Sequence, residues 1–131
     1  LGRGKRGVDV RIYTPGVPDK PTIYQLTRSY FPHLLQAGVK IYSYTPGFLH
    51  AKTWLVDDRI AAVGTVNLDY RSLYLHFENS VLIYGGAVLD DVRRDLAEIE
   101  KESAAVTLAD CRTGFFGTLY SAVLRLVAPL C

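Results

Sequence analysis

His50 and Lys52 are separated by one residue in the stretch His50-Ala51-Lys52-Thr53-Trp54-Leu55-Val56-Asp57, and Gly64-Thr65-Val66-Asn67 follows closely. On a strand such a pair would project from one face, because strand side chains alternate with period two. A nucleophile or proton carrier then sits beside a fixed positive charge, which suits chemistry at a phosphate. A lysine held partly out of water needs an anionic partner, and a phosphate supplies one. Asn67 adds neutral donors, and Gly64 allows a backbone to approach a ligand closely. Glu78 is a further candidate: a carboxylate accepting from one ring nitrogen fixes the histidine tautomer and leaves the other nitrogen free to attack phosphorus. His33, beside Pro32, and His76, near a strand start, read as structural. Residue types alone leave a structural reading of the His50 cluster open as well.

The elements that must position these residues alternate between strand and helix. Val8 to Tyr13 reads as a β-branched and aromatic strand closed by Thr14-Pro15-Gly16. Pro21 to Ala37 follows helical spacing through Ile23, Leu26, Tyr30, Leu34 and Leu35, with Gly38 as its stop and Pro32 expected to kink or divide it. Val39 to Tyr44 is a second strand, again closed by Thr45-Pro46-Gly47. Strand, helix and strand in this length make one βαβ unit with parallel strands, whose Pro-Gly loops leave from the same edge. Leu49 to Val56 and Arg59 to Thr65 read as a hairpin turning at Asp57-Asp58. A short turn or helix covers Asn67 to Leu75, and a fifth strand runs from about Phe77 to Tyr84. Ala87 to Ala105 reads as an amphipathic helix with Leu89, Val92, Leu96 and Ile99 inward and Asp90 spaced to pair with Arg94. Phe115 to Leu130 is apolar and helical, with Arg125 its only charge. Its stripe of Phe115, Phe116, Leu119, Val123, Leu126, Val127 and Leu130 is expected to pack on protein, with membrane-surface contact as the alternative.

At 131 residues the chain reads as a single α/β domain, 1–131, ending in the apolar helix of residues 115–131. Fifteen basic and 13 acidic residues leave a net charge of +2, without the dense basic stripe of a dedicated nucleic-acid binder. Cys111 and Cys131 lie outside any metal-ligand spacing and read as free thiols, although two cysteines can also pair. No metal is implied, because lysines supply the positive charge a metal would provide. The chain opens at Leu1 without a methionine, inside a basic glycine-rich segment, and is expected to be part of a longer protein.

His-x-Lys-x4-Asp followed by Gly-x-x-Asn resembles the HKD signature of the phospholipase D superfamily. His50, Lys52, Asp57, Gly64, Asn67 and Glu78 fall at that motif's spacing. The stretches Tyr44 to Thr53 and Val63 to Glu78 are similar to the C-terminal HKD half of bacterial cardiolipin synthases, with Thr65 where many members have serine. The resemblance implies half of a phospholipase D-like α-β-α sandwich: a mixed sheet with a βαβ unit and a hairpin, flanked by helices. It implies a ping-pong transfer between two phosphatidylglycerol molecules through a phosphohistidine, giving cardiolipin and glycerol, with no cofactor. Lys52 and Asn67 would stabilise the phosphate oxygens and Thr65 would add a hydrogen bond. Asp57 would organise the hairpin and its local charge. His50 would act as general acid and base beside a nucleophilic histidine in an N-terminal HKD half. Lys20 and Arg71 are weaker phosphate candidates and read rather as solvated surface charges.

Two enzymatic expectations follow. The favoured one is a half-site, inactive alone, in a parent protein at the cytoplasmic face of a bacterial membrane, taking phospholipid and no nucleic acid. The other is a single-motif phosphodiesterase or nuclease acting as a homodimer. A degenerate pseudo-domain ranks below both, because every motif position holds a competent residue. The half-site reading also expects an uncovered apolar face near the site, where the missing half docks.

Overall fold

Arg11–Pro15 (β1) and Lys40–Tyr44 (β2) run parallel, joined by the helix Pro21–Gln36 (α1), so the βαβ unit is present. The structure is a computed structural model describing residues 7–18, 20–112 and 114–127. Leu130, Cys131 and the basic segment before Gly7 lie outside the described residues, as do the side chains of Phe115, Phe116 and Val127. The remaining elements are Thr53–Val56 (β3), Ile60–Gly64 (β4), Tyr70–Tyr74 (α2), Ser80–Tyr84 (β5), Ala87–Lys101 (α3), Ser103–Ala105 (β6) and Phe115–Val127 (α4). They form two compact units. One takes the described residues up to Leu49 and from Glu102 onward, the other His50–Lys101.

In the first unit the sheet order is β1-β2-β6, with β6 antiparallel to β2. The two strand sequences match best at Tyr13 with Tyr44, but the register pairs Tyr13 with Tyr42. A slip of two residues preserves which face each side chain occupies, and the Tyr13 and Tyr42 rings stack at 5.3 Å. Both Pro-Gly turns still leave from one edge, where the Gly16 N–H donates to Tyr44 O at 2.7 Å. Proline starts α1 at its first turn, where its missing N–H costs nothing. Gly38 ends the helix with φ +86°, and its N–H reaches Leu35 O. Pro32 does not divide the helix, which continues to Gln36.

The buried face of α1 is rotated from the expected stripe. Leu26 and Phe31 are buried, whereas Ile23 and Tyr30 are about 40 % exposed. Phe31, Val39 and Ile41 form the core, with Val10, Ile12, Leu34, Leu35 and Val106 packed around them. Burying an apolar side chain of this size stabilises the fold by about 1.5–3 kcal/mol. The C-terminal helix is rotated too. Leu119, Val123 and Leu126 of the expected stripe are exposed, while Ser121 and Leu124 are buried. Arg125 decides this orientation, because its guanidinium is bonded to Ser29 on α1.

In the second unit the antiparallel order is β3-β4-β5. Asp57 and Asp58 both take positive φ, 50° and 53°, and the Arg59 N–H closes the turn on Val56 O. This is the type I′ geometry that twists with the strands, and Asp tolerates it better than most residues. Helix α3 buries Leu89 and half-buries Val92, Leu96 and Ile99, as expected. It ends at Lys101, not Ala105, because Ser103–Ala105 pairs with β2 in the first unit's sheet. Asp90 pairs with Arg93, leaving Arg94 to Asp91.

Candidate active site

The site residues gather at one end of the β3-β4-β5 sheet. The strand expected from Leu49 begins only at Thr53, so His50 and Lys52 lie in the irregular segment leading into β3. Ladder bonding continues one residue further back, since the Gly64 N–H donates to Lys52 O at 3.1 Å. The Lys52 Nζ donates to the main-chain oxygen of His50 at 2.7 Å. The lysine thus fixes the backbone that carries His50, a link that alternation on a strand would not have made. His50 is exposed, and Lys52 is half-buried.

Thr65, just past β4, meets the segment entering β5. Its hydroxyl donates to Glu78 Oε2, and the same oxygen accepts the Asn79 N–H at 3.0 Å. The Thr65 N–H donates in turn to Asn79 O at 2.9 Å. Glu78 has a side chain only 15 % exposed, with His76 Nδ1 3.7 Å from its other oxygen. The Thr65 hydroxyl, then that of Ser72, hold its carboxyl below the usual glutamate value, and the charges of His76 and Lys52 add to this. A glutamate kept ionised here is an acceptor that can orient a donor or balance a cation.

Asn67 joins the same network through Ser72, whose hydroxyl accepts from the Asn67 amide at 3.4 Å. Ser72 is buried at the start of α2, where Asp69 caps the helix by accepting its N–H at 2.7 Å. Ser72 and His76 were missed by sequence reasoning. The Asp69-x-x-Ser72 spacing was the available signal for the first, and the i, i+2 relation of His76 to Glu78 for the second.

Gly64 has a different neighbour from the one anticipated. A β-carbon there would lie 2.2 Å from Asn79 O and 2.2 Å from Ser80 Oγ, so β5 itself fills the space. Asp57 stands apart from the cluster. It occupies the hairpin turn at the far end of β3, about 16 Å from Lys52 at 3.3 Å per residue. There it lines a cleft of about 790 Å³ with Asp58, Asp90 and Arg93, and Arg93 bonds Asp58 O.

One face of this sheet carries a run of exposed apolar residues, while the other exposes Val63 and Val81 at the site end and buries Ala61. Register places Trp54, Ala62 and Leu82 in one row and Val56, Ile60 and Tyr84 in the next. Trp54, Val56, Leu82 and Tyr84 are 41–69 % exposed, whereas Ala61 on the opposite face is 1 % exposed. Lys52 and Gly64 extend the same series of rows, so the phosphate-type residues stand at the edge of an open apolar surface. Leu68, Leu73, Tyr74, Leu75 and Phe77 around α2 are also more than half exposed.

The family model described as cardiolipin synthase, phospholipase D-like domain, matches residues 3–99. The chain belongs to this family. A cardiolipin synthase of Clostridium perfringens is 42 % identical over 125 residues, covering 95 % of this chain and 26 % of that protein. A cardiolipin synthase of Geobacillus kaustophilus is 39 % identical over 125 residues, covering 95 % and 25 %. An uncharacterized protein of Streptococcus mutans is 50 % identical over 127 residues, covering 96 % and 28 %. The chain therefore spans about a quarter of the length of the curated relatives it matches. The mixed α/β architecture agrees with a phospholipase D-like fold. Within this cardiolipin synthase-like family the matched region contains the whole cluster from His50 to Glu78. No helix among the described residues is long and apolar enough to cross a membrane.

Proposed function

We propose that this chain is one half of a phosphatidyltransferase site that joins two phosphatidylglycerol molecules into cardiolipin and releases glycerol. The convergence of Lys52, Thr65, Asn67 and Glu78 beside His50 at one sheet end carries this reading. A histidine from an N-terminal His-x-Lys half attacks phosphorus, forming a P–N bond as the bond to the headgroup glycerol oxygen breaks. His50 gives its proton to that departing oxygen. It then takes the proton from a hydroxyl of the second phosphatidylglycerol, whose oxygen displaces the imidazole and forms the new P–O bond. The Lys52 ammonium and the second N–H of the Asn67 amide stabilise the non-bridging oxygens as charge builds in each transition state. Glu78 keeps the local field negative enough to hold its cationic neighbours in place, and Asp57 shapes the hairpin. The whole chain acts as a single phospholipase D-like half, and its parent works at the cytoplasmic membrane face where phospholipid is available.

The open face bearing Trp54, Val56, Leu82 and Tyr84 supports docking of the other half beside Lys52. A homodimer using two copies of His50 would occupy the same face. Sedimentation of the purified chain, paired with a phosphodiesterase assay on phosphatidylglycerol and on a nitrophenyl phosphodiester, separates the two. The half-site reading expects negligible turnover from the chain alone. Robust activity from a stable dimer, lost in His50→Ala, would overturn it.

A further inference from the structure

In the first unit, α1, α4 and the turn Thr107–Arg112 enclose a cleft of about 530 Å³ lined by Arg28, Arg112 and Arg125. Arg125 is the only charge on an otherwise apolar helix, and it is turned inward. Its Nε donates to Ser29 Oγ at 3.1 Å, its Nη2 donates to Ser29 O, and its Nη1 lies 3.4 Å from His33 Nε2. The guanidinium also sits 5.3 Å above the Tyr30 ring. Arg28 is fixed in a comparable way, donating to Asp110 O at 2.8 Å and to the Tyr24 hydroxyl at 3.3 Å.

The oxygen acceptors among these, Ser29 Oγ, Ser29 O, Asp110 O and the Tyr24 hydroxyl, are all neutral. The Asp110 carboxylate, the single acidic group lining the cleft among the described residues, accepts from the Thr107 N–H and hydroxyl at 2.8 and 2.7 Å. The Arg112 side chain makes no hydrogen bond or ion pair among the described residues. Three guanidinium charges therefore face one carboxylate, and two of the three are held in fixed orientation with donors to spare. That carboxylate attracts Arg28, which leaves positive charge in excess across the cleft, and the planar fork of an arginine matches phosphate oxygens.

We infer that this cleft, formed by other residues than the His50 cluster, is an anion site for a phosphate group, independent of the function proposed for that cluster. A soluble phosphate and a phospholipid headgroup present the same oxygens, and the experiment distinguishes them. The 131-residue chain is labelled with nitrogen-15 at arginine, and the Nε–H resonances of Arg28 and Arg125 are followed during titration. One arm adds inorganic phosphate, a second adds short-chain phosphatidylglycerol micelles, and a third adds phosphatidylcholine micelles. Saturable shifts with inorganic phosphate identify a soluble phosphate site, and shifts confined to phosphatidylglycerol identify a headgroup site. In the responding arm Arg112→Gln, at an exposed position, weakens the apparent affinity about tenfold. Arg94→Gln, the same charge change on α3, leaves it unchanged. No saturable shift with phosphate or phosphatidylglycerol would overturn the inference. So would phosphatidylcholine acting as well as phosphatidylglycerol, or Arg94→Gln costing as much as Arg112→Gln.

Discussion

The Thr65 hydroxyl donates to the Glu78 carboxylate while its oxygen accepts the Asn79 N–H, tying the exit of β4 to the entrance of β5. Two motif positions thirteen residues apart thus become one rigid joint, at the sheet end where Lys52 receives the Gly64 N–H. The hydroxyl matters here, whichever of serine or threonine supplies it.

Thr65→Ala removes the largest influence holding the Glu78 carboxyl down, so its pKa rises toward the ordinary glutamate value. Thr65→Ser keeps it low. Carboxyl-carbon NMR titration of Glu78 in both variants measures this. An unchanged Glu78 titration in Thr65→Ala would remove the hydroxyl as the cause.

The same depressed pKa makes stability depend on acid. Because Glu78 holds its proton less tightly when folded, its contribution is fully present above the unfolded glutamate pKa of about 4.3. It is lost as pH falls through the lower folded value. Glu78→Gln should therefore lower Tm at neutral pH, and the difference from the parent chain should shrink in strong acid. Thermal melts from pH 7 down to pH 2 follow the two curves, and a constant gap would contradict the linkage.

Gly64→Ala forces a methyl against the Asn79 carbonyl, the Ser80 hydroxyl and the Ser80 α-carbon of the adjacent strand; the hydroxyl can rotate away, but the two backbone atoms cannot. The expected cost is about 1–3 kcal/mol, read as a lower urea midpoint with an unchanged slope. A neutral substitution would mean that β5 moves freely from β4 at this end.

Trp54→Glu tests the open face. The residue is 41 % exposed, so the isolated chain should lose little stability. Its association with an N-terminal His-x-Lys half, followed by isothermal titration, should fall by at least tenfold. Unaltered association would place the docking surface elsewhere.

The βαβ unit, the hairpin turn and the inward face of α3 were legible in the sequence because local signals and the final packing agree there. Pro21 and Gly38 bracket α1, and Asp57-Asp58 accepts the turn's positive φ. The misreadings share a physical origin in partners that are distant along the chain. Ser103–Ala105 looks helical alone and becomes a strand because β2 offers an edge. Leu119, Val123 and Leu126 form the more apolar stripe of α4, yet Arg125's bonds to Ser29 turn the opposite side inward. His50 and Lys52 were legible as residue types, but their link through Lys52 Nζ and the His50 carbonyl depends on the strand starting late. His76 looked structural because nothing in its own neighbourhood shows that Ser72 and Thr65 hold Glu78 beside it.

The most direct test is reconstitution of transfer between fluorescent phosphatidylglycerol molecules, using this chain mixed with an N-terminal His-x-Lys half. Cardiolipin and glycerol should form in equal amounts only when both are present. His50→Ala should lower the rate by about 10²–10⁴-fold, while a phosphodiester with a nitrophenol leaving group, which needs no acid, still forms the phosphohistidine on the partner. Cardiolipin synthesis that survives His50→Ala at the parent rate, or full turnover by this chain alone, would contradict the half-site.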